Sequence, residues 1–213
     1  MLVKDWMTSP VHTVRPEDNI SDAAFLMREK KIKHLPVAAG AKLVGILSDR
    51  DIKEYLPSKG TSLDVYELNY LLAKTKVSSV MHQPVHTAAP HTPVEEAAMI
   101  LHDRNIGCLP VVEDGKLVGI ISDKDIFKVL VEITGVRNGG RRFTFVLEDK
   151  PGSIKEVADV IRAKGYRLQN IMSSSEKSAP GTRYVVIRTR GDGDYQGLLA
   201  VLKNSDYHLV HSI

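Results

Sequence analysis

The sequence predicts an α+β fold in which a duplicated unit is followed by a smaller unit of a different pattern. At an offset of 74 residues, positions 4–56 align with 78–130 without a gap and share 22 identities in 53 positions. From residue 141 onward, alternating strands and amphipathic helices follow an order that neither copy shows. Two copies are too few for a solenoid, so we expect a pseudo-symmetric pair that buries one shared face.

Each copy contains the same elements in the same order. A short extended piece leads to a helix whose apolar residues recur at i, i+3, i+4 and i+7, as in Ile20, Ala23, Ala24 and Met27. Two apolar strands joined by a turn follow, and a second helix begins after Ser48 or Ser122. The extended pieces and strands are 10–14, 35–38 and 43–47 in the first copy and 84–88, 109–112 and 117–121 in the second.

The remaining chain is divided into a connection, a linker and a tail. We predict a linking helix over 62–75, which makes residues 1–133 one paired domain. The Gly-rich stretch 134–140 is predicted to be a linker. In the tail, 141–213, strands and helices follow the order β-α-β-β-α-β, which is that of the ferredoxin-like split unit.

Composition excludes several classes of protein. Lys and Arg number 29 against 26 Asp and Glu, and the net charge of +3 is small for a protein that binds a phosphate backbone. The single cysteine, Cys108, excludes an internal disulfide and a Cys-rich metal site. There is no apolar run of the roughly 20 residues that a membrane span needs, and the first residues lack a signal-peptide core. We therefore expect a cytoplasmic protein that binds neither membranes nor nucleic acid.

The strongest chemical motif is repeated at the end of the second strand of each copy. Gly45–Asp51 and Gly119–Asp125 each place a serine, a basic residue and an aspartate where a helix begins. A carboxylate can accept both hydroxyls of a ribose, and helix amides favour an anion. The alternative is structural, because Ser is a common N-cap and Asp stabilises a first helical turn.

These repeats resemble the two halves of a CBS-domain pair, also called a Bateman module. The resemblance covers residues 1–130 and includes the family's G-h-h-S/T-x-x-D signature in both copies. It implies that the chain binds an adenine nucleotide, with S-adenosylmethionine or a cyclic dinucleotide as alternatives. It also implies that Asp51 and Asp125 bind the ribose, while Ser48 and Ser122 lie on its phosphate side.

The resemblance implies two clefts, each completed by the first strand of the opposite repeat. Arg50 and Lys124 are expected to reach phosphate. One expected site consists of Cys108, Leu109, Ser122, Lys124, Asp125, Thr8, Pro10 and His12. The other consists of His34, Leu35, Ser48, Arg50, Asp51, His82, Pro84 and His86.

The tail resembles an ACT domain, since a D-x-P-G motif stands at its first strand–helix junction. The resemblance implies an amino-acid site there, at Asp149, Pro151, Gly152, Ser153 and Ile154. Pro-Gly is also an ordinary tight turn before a helix, so this alternative stays open. A CBS pair followed by an ACT domain resembles the AcuB (acetoin utilisation) family over almost the whole chain.

Catalysis is not expected from this residue set, and neither is a metal or a required cofactor. Cys108 lies at the entry of an apolar strand, which favours a buried core cysteine. His208 and His211 are predicted to point to opposite faces of a strand, which makes a poor metal pair. We expect a ligand-sensing regulatory protein that forms a homodimer and regulates an unidentified protein target. The alternative is a non-catalytic interaction module with vacant clefts.

Overall fold

The computed structural model describes residues 1–55, 70, 72–205 and 207–213. It divides into two compact units, Met1–Phe127 and Lys128–Ile213. Most of the linking helix predicted over 62–75 lies outside the described residues, although residues 70 and 72–74 are helical. Within the described part of the chain, no helix combines the length and apolar character needed to cross a bilayer.

Each repeat is a helix, a β-hairpin and a second helix, as the sequence predicts. In both hairpins a register shift follows the valine that comes after the proline of the first strand, at Val37 and at Val111. The last helix of the second repeat continues past Phe127 into the second compact unit. The elements of the first repeat are α1 (Ile20–Lys30), β1 (His34–Ala39), β2 (Lys42–Ser48) and α2 (Asp49–Tyr55), and those of the second are α3 (Val94–Asp103), β3 (Cys108–Glu113), β4 (Lys116–Ser122) and α4 (Asp123–Thr134).

The two repeats exchange the segments that precede their extended pieces. Residues 1–8 run along the second repeat, where Thr8 forms an antiparallel bridge with Ile120. Residues 76–82 run along the first repeat, where His82 bridges Ile46 in the same way. Each hairpin is therefore extended by a segment that belongs to the other repeat.

The same exchange appears in the two cores of this unit. Val3 lies among the buried residues of the second repeat, and Val77 lies among those of the first. Leu35 and Leu109 are fully buried at equivalent positions of β1 and β3. Burying one such side chain contributes about 1.5–3 kcal/mol, so neither repeat has a complete core without the other's segment.

The second unit has the predicted β-α-β-β-α-β order, and its four strands form a fully antiparallel sheet in the spatial order second, third, first, fourth. One face packs against the two helices through Phe143, Phe145, Val157, Ile161 and Leu198, all fully buried. The elements are β5 (Arg142–Glu148), α5 (Ser153–Ala163), β6 (Arg167–Ser174), β7 (Thr182–Arg190), α6 (Tyr195–Lys203) and β8 (His208–Ser212).

The prediction that His208 and His211 point to opposite faces is wrong. A register shift in β8 sets His211 opposite Thr144 and His208 opposite Val146. Thr144 and Val146 are two residues apart in β5, so both histidines lie on the sheet face away from the helices. Strict alternation fails here because a bulge adds one residue to the strand. The described residues nonetheless contain no group of three or more side chains that could hold a metal ion.

Candidate functional site

The first repeat places Ser48 and Asp51 in one tight corner between β2 and α2. The backbone nitrogen and the Oγ of Ser48 both donate to Asp51 Oδ2, each at 2.6 Å. The backbone nitrogen of Asp51 donates in return to Ser48 Oγ at 3.2 Å. These reciprocal bonds satisfy polar groups at the start of the helix, as in a capping box. The structural role and the functional role expected from the sequence therefore belong to the same two residues.

The second repeat has the same corner between β4 and α4. The backbone nitrogen and the Oγ of Ser122 donate to Asp125 Oδ2 at 3.0 and 2.7 Å. Asp125 is 5% exposed, so this carboxylate is among the few buried charged groups of the described residues. We call the two arrangements the Asp51 corner and the Asp125 corner.

The glycine that opens each signature has a packing reason. A Cβ built on Gly45 would lie 2.5 Å from Met81 Sδ, and one on Gly119 would collide with Met7 Sδ. Met7 and Met81 are equivalent residues of the exchanged segments. Glycine therefore lets the opposite repeat's segment lie flat against the strand that ends in the corner. The sequence comparison aligned these methionines but assigned them no role.

The two corners differ in the residue that the opposite repeat's segment carries at one equivalent position. His82 Nε2 lies 2.9 Å from Asp51 Oδ1, while Asp51 Oδ2 is occupied by Ser48. The equivalent position of the other exchanged segment is Thr8. His82 is 70% exposed at its side chain, and Asp51 is 11% exposed. An exposed imidazole therefore covers the free edge of a half-buried carboxylate in one corner.

His34 and Cys108 occupy equivalent positions at the start of β1 and β3, near the junction of the repeats. A Cβ on Gly107 would lie 2.9 Å from His34 Cε1, so His34 packs directly on the second repeat. Burial lowers the pKa of His34, although the charges of Asp123, Asp49 and Asp51 oppose that change. Burial, assisted by the charge of Asp123, raises the pKa of Cys108 to about 12. At neutral pH Cys108 is therefore a buried thiol and a poor nucleophile.

The two basic residues of the motif lie on exposed helix starts. Arg50 Nε is 3.9 Å from Glu54 Oε1, and both side chains are largely exposed. The Lys124 backbone nitrogen donates to Asp123 Oδ1, and its side chain is exposed. Exposed pairs of this kind contribute about 1 kcal/mol or less, so Arg50 can turn toward a phosphate at little cost.

The other predicted residues lie at different depths. Leu35 and Leu109 are fully buried, so their side chains pack in the cores and only their backbone can contact a ligand. Pro10 and Pro84 line two equivalent clefts between the repeats. His12 and His86 are exposed.

Each of these clefts joins residues of both repeats, but neither is lined by the serine or the aspartate of a corner. The cleft at Pro84 encloses about 340 Å³, and the cleft at Pro10 encloses about 260 Å³. Each cleft lies between the extended piece of one repeat, the hairpin turn of that same repeat and the hairpin of the opposite repeat. The pairs Val44 and Val118, Leu43 and Leu117, and Thr13 and Thr87 line them at equivalent positions.

The predicted amino-acid site lies at the start of α5 in the second unit. Asp149, Pro151, Gly152, Ser153 and Ile154 line one cavity of about 350 Å³. Arg183 from β7 and Lys155 also line it. Arg183 was not predicted, because it lies on a separate strand that only the fold brings to this cavity. Arg183 Nε is 3.5 Å from Asp149 Oδ1 and has no hydrogen-bond partner among the described residues.

Comparison with known proteins decides the family of the first unit. The model of the CBS domain matches residues 3–58 and 77–132, which is more than half of the chain. The chain belongs to the CBS domain family. The two matched segments contain both repeats, each including the exchanged segment that precedes it.

Solved structures of CBS proteins resemble this unit closely. A Vibrio cholerae structure named for AcuB, an acetoin utilization protein, is 33% identical with a TM-score of 0.53, covering 64% of this chain and 95% of that one. CBSX2 in complex with AMP is 32% identical with a TM-score of 0.52, covering 62% and 98%. The CBS pair of MJ0100, in complex with 5′-methylthioadenosine and S-adenosyl-L-methionine, is 29% identical with a TM-score of 0.52, covering 62% and 97%.

Enzymes that contain a similar segment are much longer than the matched region. The chain spans 24% of the homoserine O-acetyltransferase of Methanohalobium evestigatum and 22% of the inosine-5'-monophosphate dehydrogenase of Korarchaeum cryptofilum. It spans 81% of the CBS domain-containing protein YhcV of Bacillus subtilis. CBS pairs thus occur both in short proteins and within large enzymes.

Proposed function

We propose that this protein is a ligand-sensing regulator whose CBS pair binds an adenine nucleotide of the AMP, ADP or ATP type. One observation carries the proposal: each repeat ends a strand in a Ser–Asp corner, and in the first repeat the opposite repeat's His82 lies 2.9 Å from the carboxylate. Related CBS structures of similar size contain AMP or S-adenosyl-L-methionine. S-adenosylmethionine and cyclic dinucleotides remain the alternative ligands.

The geometry of each corner supports different binding roles for its aspartate, its serine and its basic residue. Asp51 Oδ1 and Asp125 Oδ1 would accept the ribose hydroxyls, while the serine bonds keep each carboxylate in place. Arg50 and Lys124 would bind the phosphate groups from the exposed helix starts. In the Asp51 corner the ribose must displace His82 from Asp51 Oδ1.

Calorimetry with AMP, ATP, S-adenosylmethionine and cyclic dinucleotides tests the proposal directly. Asp51→Ala combined with Asp125→Ala is expected to abolish binding of the nucleotide that binds the parent protein. Glu54→Ala is the matched control, because it removes an exposed carboxylate from the same helix as Asp51. The circular dichroism of all three proteins should agree. Normal binding by the double variant, or no binding of any of these ligands by the parent, would overturn the proposal.

Regulation requires that the ligand bind one arrangement of the protein more tightly than another. Limited proteolysis with and without the bound nucleotide measures such a difference. An unchanged cleavage pattern would contradict regulation by the nucleotide. Clefts that bind no ligand would instead favour the rival function, which is a protein-interaction module with vacant clefts. Mass spectrometry of small molecules released from the purified protein separates the two at low cost.

A second candidate function is amino-acid binding in the cavity of the ferredoxin-like unit, as expected for an ACT domain. The specific observation is that Asp149 and Arg183 place both signs of charge at one cavity. An α-amino acid carries the complementary ammonium and carboxylate. A thermal-shift screen of the common amino acids tests this, with Arg183→Gln expected to abolish any shift and Arg162→Gln expected to keep it.

The proposal also includes a cytoplasmic, non-catalytic homodimer. Phe25 and Met99 occupy equivalent outward positions of α1 and α3 and are 57% and 56% exposed. Two related apolar patches of this kind suit a symmetric interface with a second copy. Light scattering should give about twice 23.6 kDa; a monomer mass would contradict this part of the proposal.

A further inference from the structure

Four arginines gather at one end of the sheet in the second unit. Arg188 and Arg190 are two residues apart in β7, Arg142 begins β5 and Arg167 begins β6. The fully buried Phe143 and Ile187, next to them in these strands, face the helices. Because side chains alternate along a strand, the arginines lie on the other face, where they are exposed or half-buried.

The strand register sets these arginines directly opposite one another. Arg142 is the partner of Arg188, and Arg167 is the partner of Arg190. Neighbouring strands lie about 4.8 Å apart, and like charges directly opposite each other destabilise a sheet. Two adjacent pairs of like charge are therefore built into three neighbouring strands.

No carboxylate compensates these charges among the described residues. Each of the four lacks an ion pair there, whereas Lys155, Arg162 and Arg183 of the same unit all have one. Arg142 Nη1 donates to Thr144 Oγ1 at 2.9 Å, and Arg188 Nη1 donates to the Gly139 carbonyl at 3.4 Å. A guanidinium has five N–H donors, so most of the donors in this cluster have no protein acceptor.

The distribution of charge between the two units also favours an anion-binding site in the second unit. Residues 128–213 contain 14 Lys and Arg against 9 Asp and Glu, a net charge of +5. Residues 1–127 contain 15 against 17, a net charge of −2. The small net charge of the whole chain is therefore the sum of a slightly acidic first unit and a basic second unit. In the second unit, four arginines without an ion pair among the described residues lie together at one end of the sheet.

We propose that this arginine cluster binds a small anion with two or more linked phosphate groups. Each arginine pair can bind one phosphate group through forked, charge-assisted hydrogen bonds. The two pairs are offset by two residues along β7, which is about 7 Å. One phosphate group can therefore engage only one pair, and a linked chain of phosphates can engage both. This site is separate from the Ser–Asp corners and does not depend on them.

Calorimetry at low salt with inorganic tripolyphosphate and orthophosphate tests the site on the whole chain. Tripolyphosphate is expected to bind at least tenfold more tightly than orthophosphate. Arg188→Gln with Arg190→Gln removes one member of each pair and should weaken tripolyphosphate binding at least tenfold. Arg142→Gln with Arg167→Gln removes the other members and should have the same effect.

Two controls separate this site from other cationic groups. Lys155→Gln with Arg162→Gln removes the same charge from the same unit, at residues paired with Asp159, and should keep affinity within twofold. Asp51→Ala with Asp125→Ala alters the nucleotide corners and should leave tripolyphosphate binding at the arginines intact. That last variant lets the failure of one proposal be told from the failure of the other.

Thermal unfolding gives a readout that a structural role would not give. Without anion, the Arg188→Gln, Arg190→Gln variant should melt no lower than the parent, because it loses a repulsion. Tripolyphosphate should raise the melting temperature of the parent and of the two control variants, but not that of the Arg188→Gln, Arg190→Gln variant. Equal affinity of parent and arginine variants would overturn the proposal, as would tighter binding of a single-stranded oligonucleotide, which would identify nucleic acid as the ligand.

Discussion

The Asp51 corner and the Asp125 corner share the same serine–aspartate hydrogen bonds and differ in one residue of the opposite repeat's segment. In both, a serine hydroxyl and a serine amide bond one carboxylate oxygen, at 2.6 to 3.0 Å. His82 contacts the other oxygen in the first corner, and its equivalent in the second is Thr8. The duplication has therefore kept the groups that hold the carboxylate and varied the groups that a ligand must meet.

A second pair of equivalent positions shows the same divergence. His34 and Cys108 both begin a hairpin strand near the junction of the repeats, and both are influenced by Asp123. Burial disfavours the charged form of both side chains. For His34 that form is the protonated imidazole, and for Cys108 it is the deprotonated thiolate. The two repeats should therefore respond to pH in opposite ranges, although their folds are alike.

The largest expected effect separates the corners by single substitutions. Asp51→Ala and Asp125→Ala should each weaken AMP binding at their own corner about 10- to 100-fold, because hydrogen bonds to a charged group contribute about 1.5–3 kcal/mol. Calorimetric stoichiometry of each variant against the parent checks this. If either substitution alone removed every binding event and the other removed none, a single occupied corner would replace the two-site interpretation.

Alkaline pH should destabilise the second repeat through Cys108. The unfolded thiol titrates near 9.0 and the folded one near 12, so the unfolded state releases its proton first as pH rises. At pH 10 the free energy of unfolding should fall by about 1.4 kcal/mol relative to neutral pH on this account. Urea unfolding of the parent and of Cys108→Ala at pH 7 and 10 measures it; an identical loss in both proteins would exclude the thiol as the cause.

Exchanging the facing residues should exchange part of the binding behaviour. His82→Thr frees Asp51 Oδ1 and should tighten adenosine binding at that corner about two- to fivefold, since exposed contacts of this kind are worth about 0.2–1 kcal/mol. Thr8→His in the other corner should weaken binding there to a similar degree. Adenosine is used because it has no phosphate to attract the imidazole. The affinity for adenosine must rise in one variant and fall in the other. A change in the same direction in both would refute the competition between the imidazole and the ribose.

The smallest effect is expected from His34 at acidic pH. Its folded pKa lies below its usual value of 6.5, so below that pH the unfolded chain binds the proton more readily. Stability conferred by the neutral imidazole is present above pH 6.5 and is lost as pH falls toward the lowered pKa. His34→Gln should flatten this part of the stability profile measured by thermal unfolding. The opposing charges of Asp49, Asp51 and Asp123 keep the effect modest.

Sequence comparison was sufficient for the order of elements in the repeats, because periodicity and the 74-residue offset specify the hairpins and the helices that begin after Ser48 and Ser122. It also predicted the order of elements in the second unit. Hydrophobic periodicity alone could not predict that residues 1–8 pack on the second repeat, because an exchange of segments leaves that periodicity unchanged. The resemblance to a CBS pair did place Thr8 and His82 with the opposite repeat. The resemblance put His82 and Asp51 in one expected site, and the structure adds the direct contact between their side chains.

Two further failures have local physical causes. The bulge in β8 brings His208 and His211 to one face, and no turn or glycine signal in the sequence marks it. The arginine cluster depends on the register of three strands, which sequence alone leaves undetermined. Single residues were therefore predictable where they follow a repeated motif, and unpredictable where pairing between distant strands places them.

The exchanged segments also determine the smallest part of this unit that has a complete core and paired hairpin edges. A lone repeat would leave one edge of its hairpin without the bridge that Thr8 or His82 makes, and would lack the buried Val3 or Val77. Two copies of such a repeat could complete each other's core and hairpin edge by exchanging those segments. A chain cut between the repeats is expected to reassemble from its two fragments, each incomplete alone, in the manner of a split reporter.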